Sequence, residues 1–595
     1  MATNVDDLFK RPNAPFTNNG KRKFEEPSAQ QAYKATKLTS NASPGGSGPN
    51  GATVEDEDED MEAGPELPPD EEGDDEEGRF FGGGVTKNTT DALDYLEEHD
   101  AGAYREEKID AAWLRGLGTR FAKKVARNAE LRSKHEGDPE KFMASEADLD
   151  AEVKSFSVLT EHPELYSTLA ESESAANLVG LLAHENTDIA IAAIEIISEL
   201  LDEDVETEQE QWDALVSALL DSDLLDLVIS NFDRLDEKEE SDRSGVYHSL
   251  AVLESLASQQ AIAERIGTEK LLNWLGERMQ RPEKPLGQNK QYAAEVLQVM
   301  LQSSPLLRER LATVIEGVDL FLQLLAPYRK RDPPKDSYEE EHVENVFDAL
   351  TCVVDEAPGK KAFIEAEGVE LALLMVKDGG MSKLRALRLL DHAAGGTEGA
   401  AQVCEKLVEE GGLKPVCKLF MKAGNDAETT EHCLGILSSL LRQLPGETPQ
   451  RVRVLAKFSE RDYEKTTKLC QLRQDYAKRL GAVEAEVNKE RAAIVDPEEA
   501  EEREPEWFSR RMDGGLFSLR TVDVVVAWLA AEDPRARSRL QAQVDFAAVK
   551  ASLEEQMEGL DEAGDEGETK EMLGTLSSFL ETRIDGSSAR GGKLG

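Results

Sequence analysis

From about residue 88 onward, apolar residues return every three or four positions, the period of amphipathic helices rather than strands. The segment TTDALDYLEEH (89–99) opens on Thr and Asp and then spaces Leu93 and Leu96 by three, as a capped helix does. A second, basic helix is predicted over Trp113 to Leu131, with Phe121 and Val125 four apart, followed by a turn at Asp138 to Asp150. Beyond it one element recurs: a glycine, an aliphatic residue, then leucine-type residues at helical spacing. It reads IGTEKLLNWL around Gly267, GVDLFLQLL at Gly317, GVELALLMV at Gly368 and GGLKPVCKLF at Gly412, with separations of 50, 51 and 44 residues. Each is followed by a longer amphipathic helix, and GVYHSLAVLESLA and NTDIAIAAIEIISELL occupy the same slot upstream. Aligning Ile196, Leu253, Leu297, Leu350, Leu387 and Leu437 gives separations of 57, 44, 53, 37 and 50. Their mean lies near the period of about 40–47 residues of armadillo and HEAT units, with insertions supplying the excess.

Such a pair exposes an apolar face that only the next pair can cover, so the units stack. The predicted fold is all-α: an armadillo/HEAT-like, right-handed superhelical solenoid with a helical N-terminal cap and a disordered acidic N-terminus. The glycines are expected to let the chain turn sharply between helices. Residues 1–85 are poor in apolar residues and carry the acidic run Glu55 to Glu77, so they cannot offset their ordering entropy. The expected divisions are 1–85 disordered, 86–150 helical cap, 151–445 armadillo-like repeats, 446–530 C-terminal helical repeats with an acidic linker at 495–506, and 531–595 a helical segment with a frayed tail. Insertions at 281–290 and 328–341 read as surface loops. A long, charged, helix-forming stretch of coiled-coil texture runs from Thr448 to Ala493.

Composition narrows the function. The 595-residue chain holds 120 Asp and Glu against 69 Lys and Arg, a formal net charge of -51. Such a surface repels phosphate backbones, so direct nucleic-acid binding is disfavoured, and basic protein segments are the natural electrostatic partners. The same charge also keeps a long solenoid soluble. Cys352, Cys404, Cys417, Cys433 and Cys470 are scattered among apolar residues with no Cys-x-x-Cys pair, which reads as buried thiols in a reducing compartment. No apolar window reaches about 18 residues, and the first residues lack a signal-peptide core. A soluble, intracellular protein without membrane contact is expected.

Catalytic groups do not assemble. The sequence contains no phosphate-binding Gly-x-x-x-x-Gly-Lys-Ser/Thr, no His-Glu-x-x-His and no Gly-x-Ser-x-Gly. His432 and Cys433 are neighbours and diverge on a helix, and His392 ends a helix where it can meet exposed carbonyls. The reading is a non-enzyme with no cofactor and no metal. What remains is a surface. The longer second helices are expected to line a groove carrying Glu195, Glu199, Glu254, Glu295 and Asp348, whose carboxylates would grip Lys and Arg side chains of an extended segment. Near the amino end, Lys21, Arg22 and Lys23 followed by Lys34 and Lys37 form a candidate two-part nuclear-localisation signal. A homodimer is compatible with this reading.

Several stretches are more specific than any armadillo consensus: PEKFMASEADLD (139–150), GLLAHENTDIAIAAIEIISELLDED (180–204), FDRLDE (232–237), LAVLE (250–254), LDHAAGGTEG (390–399) and RRMDGGLFSL (510–519). Through them the chain resembles the beta-catenin-like protein 1 family over about residues 105–530. The resemblance implies a nuclear location, association with the spliceosome's nineteen complex, and binding of that complex's Myb-like cell-division-cycle-5 component through basic, localisation-signal-like segments. The chain differs in its long Gly/Pro/Asn-rich amino terminus and its longer acidic carboxy-terminal tail. An importin-alpha-like transport adaptor is the alternative. That class carries Trp-x-x-x-Asn pairs, and none of Trp113, Trp212, Trp274, Trp507 and Trp528 has Asn four residues on.

Overall fold

A computed structural model describes residues 108–591 except positions 397, 425, 495 and 562–563. The expected disorder of 1–85, the helix at 89–99 and the basic cluster Lys21 to Lys37 lie outside the described residues. Of an N-terminal unit, Lys21–Gly116, the described part is the start of helix α1 (Ala111–Lys134). There the Asp110 carboxylate accepts from the Ala112 and Trp113 N–H groups at 2.9 and 3.1 Å. The described residues from Leu117 on form the second unit.

That unit is helical throughout its regular structure. Phe121 on α1 meets Phe156 edge to face, 5.1 Å between ring centres, closing the first core layer. The stretch expected as a turn up to Asp150 is one only to Phe142, because α2 (Met143–Lys154) is already helical and buries Leu149 and Val153. Six longer helices follow at the predicted positions: α3 (Thr187–Leu200), α4 (Glu240–Ala257), α5 (Gln288–Ser303), α6 (Tyr338–Val353), α7 (Ser382–Ala394) and α8 (Ala427–Gln443). Each packs on the next, α2 to α8, as the rungs of a ladder. Shorter helices such as Pro305–Thr313 and Gly317–Leu325 fill the spaces between rungs.

The ladder continues where the sequence does not. After α8 the chain leaves along α9 (Pro449–Ala493), returns through α10 (Glu504–Asp513), and only then supplies the next rung, α11 (Leu516–Glu532), which packs directly on α8. Two helices, α12 (Pro534–Gln541) and α13 (Phe546–Glu558), follow, and α14 (Gly564–Gly591) buries Leu573, Leu576 and Leu580 at the end of the stack.

The repeated glycines work differently from the expectation. Ahead of Gly317 and Gly368 the left-handed turn is taken by Glu316 (φ 52°) and Glu367 (φ 58°), not by the glycine. A Cβ on Gly317 would lie 2.5 Å from Leu311, and one on Gly368 would lie 2.2 Å from Phe363. These glycines exist because the preceding helix comes too close for any side chain.

A second regularity concerns helix ends. The last carbonyls of a helix lack intrahelical donors and carry its negative dipole end. At α5, Arg308 donates to the Leu301 and Gln302 carbonyls at 2.7 and 3.0 Å. At α6, the fully buried Lys360 reaches those of Val354 and Asp355 at 2.6 and 3.0 Å. Arg451 does the same for Leu440 and Leu444 at the end of α8, at 3.4 and 3.3 Å. Arg537 serves Ala530 and Ala531 on α11, at 2.5 and 3.0 Å. In each case the cation comes from the short segment just after the rung, so the chain reversal and the cap are one device.

The stretch α9 is two helices. Between them Arg461 (φ 49°, ψ 49°), Asp462 (φ 55°, ψ 42°) and Tyr463 (φ 65°, ψ 32°) are successive left-handed residues, none of them glycine. Left-handed backbone costs an L-residue about 1–2 kcal/mol. Helix α12 holds this elbow: the Tyr463 hydroxyl donates to Asp533 at 3.0 Å, Arg539 donates to the Asp462 carbonyl at 3.0 Å, and its guanidinium lies 4.8 Å from the centre of the Tyr463 ring.

Candidate partner-binding face

On an amphipathic rung the residues opposite the buried stripe recur at three- and four-residue spacing. The five predicted carboxylates occupy such positions on four consecutive rungs, α3 to α6. Glu195 and Glu199 stand one turn apart on α3. The Glu195 carboxylate is 4.0 Å from His248 Nε2 on α4, and burial pushes its pKa up while Lys154 opposes the shift. Glu199 has one oxygen buried with no hydrogen-bond donor among the described residues. Burial also holds His248 below the usual imidazole range, which favours its neutral form despite the nearby Glu199.

Glu254 on α4 accepts from the Tyr292 hydroxyl on α5 at 2.6 Å, and Glu295 on α5 accepts from Gln291 at 3.0 Å. Both bonds come from neutral donors. Asp348 on α6 is different. It accepts from the Arg388 guanidinium on α7 at 3.1 Å, and Glu344, one turn earlier, pairs with Arg385. Further along, His392 meets Asp355 at 3.1 Å and His432 meets Asp391 at 3.0 Å. His392 therefore engages a carboxylate, where the sequence pointed to carbonyls.

The face thus has two parts. Helices α3 to α5 carry only Arg243 and Lys290 as basic residues, and Lys290 is buried with its ammonium on the Arg281 carbonyl at 2.6 Å. From α6 on, every named carboxylate is bridged by a cation or a histidine of the next rung. Sequence reasoning named the carboxylates as candidates and did not foresee these bridges. Arg385 and Arg388, one turn apart beside Glu344 and Asp348 in the previous repeat, were the available signal.

All five cysteines are buried and unpaired. Burial pushes the Cys352 and Cys404 thiols up to about 12 and that of Cys417 to about 11, so they stay protonated at neutral pH and are poor nucleophiles. Cys433 donates to the Val416 carbonyl at 3.7 Å within the core. No group of three or more His, Cys, Asp or Glu side chains suited to a metal occurs among the described residues. No single helix among them is long and apolar enough to cross a membrane.

A ladder of stacked helix pairs presenting a polar, laterally braced face defines an armadillo-type helical-repeat protein. The family described as "Catenin-beta-like, Arm-motif containing nuclear" matches residues 90–557, and the chain belongs to it. The Beta-catenin-like protein 1 homolog of Schizosaccharomyces pombe is 38% identical over 464 residues, covering 77% of this chain and 80% of that protein. Human Beta-catenin-like protein 1 is 33% identical over 493 residues, covering 79% and 86%. Among solved structures, a crystal structure of an engineered protein aligns at a TM-score of 0.46 and 15% identity, covering 77% of this chain and 99% of that one.

Proposed function

We propose that this chain is a non-enzymatic, nuclear protein-interaction scaffold associated with the spliceosome through the nineteen complex. In this reading it docks basic, localisation-signal-like segments of splicing proteins, the Myb-like cell-division-cycle-5 component foremost, on the acidic part of the ladder face. The observation that carries the reading is the run of carboxylates on α3 to α5, Glu195, Glu199, Glu254 and Glu295, on rungs whose Lys and Arg residues are only Arg243 and the buried Lys290. A Lys or Arg side chain arriving there gains charge-assisted hydrogen bonds. Family membership supports the nuclear scaffold role.

The test is affinity purification of the tagged protein from nuclease-treated nuclear extract, followed by mass spectrometry and by peptide titration of the purified chain. Recovery of the Myb-like protein with its complex is the expected result. Binding of its basic segments should weaken markedly between about 50 and 300 mM salt, as the Debye length shrinks from about 14 to 6 Å. Salt-insensitive binding, or recovery of importin-beta with assorted cargo in place of the complex, would overturn the reading.

A further inference from the structure

We infer that the elbow at Glu460–Tyr463 is a domain-exchange hinge, and that the partner it provides for is a second copy of this chain. The elbow is the sole covalent link between the ladder up to Ser459 and the C-terminal part from Glu464 on. It is built from three successive left-handed residues bearing side chains, in a segment, SERDYEK, that holds neither glycine nor proline. Nothing in that composition prevents helix, and both flanks are helical. The unstrained alternative is one continuous helix from Pro449 to Ala493, about 67 Å long at 1.5 Å per residue.

Straightening within one copy would strip the C-terminal part from its seat. It would separate rung α11 from rung α8 and break the Arg451–Glu532 pair. It would also pull the Arg451 guanidinium from its place 4.8 Å from the Trp528 ring centre, and undo the Lys468 bond to the Phe420 carbonyl and the 2.5 Å bond from Arg442 to Thr569. Two straightened copies regain every one of these interactions by seating each C-terminal part on the other's ladder. Bonds internal to the C-terminal part, such as Arg473 to Asp523 at 2.6 Å, never break. The closed monomer and the exchanged dimer therefore share one interface and differ at the hinge, where the monomer holds three strained residues and the dimer holds helix. The elbow's restraints from α12, at Asp533 and Arg539, keep the closed form in place and set the barrier to exchange.

The test uses the full chain, purified over a range of concentrations and after refolding from denaturant, with mass read by light scattering. Residue 461 tunes the hinge without touching the shared interface, because the Arg461 side chain is 79% exposed and, among the described residues, its ion pair is with Glu464 across the elbow. Arg461→Gly relaxes the left-handed turn and should lower the dimer-to-monomer ratio by about tenfold or more, while Arg461→Val should raise it by a similar factor. Arg442→Cys with Thr569→Cys, joined by a short bis-maleimide, reads the topology on a denaturing gel. The exchanged dimer gives a species of twice the chain mass, and the closed form gives a single chain. Dimers whose cross-links stay within one chain, or a chain that is monomeric with valine and glycine alike, would overturn the inference. Should the valine variant fail to fold, Arg539→Ala, which frees the elbow and should speed exchange, replaces it.

Discussion

Arg451 and Glu532, 81 positions apart, form a bidentate ion pair in which Arg451 Nε donates to Glu532 Oε2 at 3.1 Å. The guanidinium is almost wholly buried and also reaches the closing carbonyls of α8, so one side chain ties three elements: the end of α8, the start of α9 and the end of α11. Removing one partner of a buried pair leaves the other charged and unmatched, at a cost of about 3–5 kcal/mol. Arg451→Ala should lose stability of that order in urea unfolding. Glu532→Gln should lose less, since the guanidinium keeps its carbonyl partners. Equal, small losses for both would show that the seam between α8 and α11 rests on apolar packing alone.

A glycine chosen for space behaves differently from one chosen for backbone freedom. Gly368 has an ordinary backbone, and a Cβ there would meet the Phe363 ring at 2.2 Å. Gly368→Ala should therefore cost about 1–3 kcal/mol through overpacking. Phe363→Leu in the same chain should return part of that cost, giving a favourable coupling in a double-mutant cycle. A strictly additive pair would point back to the backbone.

The two cases mark what was legible in the sequence. Leucine periodicity located α3 to α8 because burial of one helix face leaves a 3.6-residue signature whatever the neighbour is. It could not say that α11 packs on α8, since nothing local in Leu516 to Leu529 records that the chain between them is an excursion. The elbow was equally silent, since Asp462 is its one residue of the usual turn type and both flanks read as helix. The role of Lys360 and Arg451 as helix-end caps depends on which carbonyls the fold brings within reach. The carboxylates of the ladder face were readable from one helix, but the cancellation of Asp348 by Arg388 is a relation between two repeats.

His342 gives the chain an acid sensitivity with a definite sign. It is 3% exposed, and burial, aided by the nearby Lys290 and Arg278 charges, pulls its pKa from 6.5 to about 4. Between those values the unfolded chain binds the proton and the folded chain does not, so stability falls as pH drops through this window. The loss by pH 5 should be about 2 kcal/mol relative to pH 7. Asp523 acts in the opposite direction. Burial lifts its carboxyl to about 6, so acidification through the range from about 6 to 3.8 protonates the folded form first and adds stability. The clean measurement is the difference between the parent and His342→Gln in urea unfolding at pH 7 and pH 5. The variant should lose about 2 kcal/mol less on acidification, and identical pH profiles would exclude the histidine as the source.

The division of the ladder face makes the binding proposal position-dependent. Glu195 and Glu199 face a histidine held below its usual range, whereas Asp348 already holds Arg388 at 3.1 Å. A basic segment gains from Glu195 and Glu199 directly, but at Asp348 it must compete with an ion pair whose partner lies on the neighbouring rung. Glu195→Gln with Glu199→Gln should weaken a basic peptide by about tenfold, equivalent to about 1.4 kcal/mol, and flatten its salt dependence. Asp348→Asn should change affinity by less than about twofold, near the size of a screened surface pair, and should instead lower stability by leaving Arg388 with a neutral acceptor. Isothermal titration with one peptide across the parent and both variants decides the matter. If Asp348→Asn weakens binding as much as the α3 double variant does, the partner lies across α6 and α7, and the acidic rungs upstream serve solubility alone.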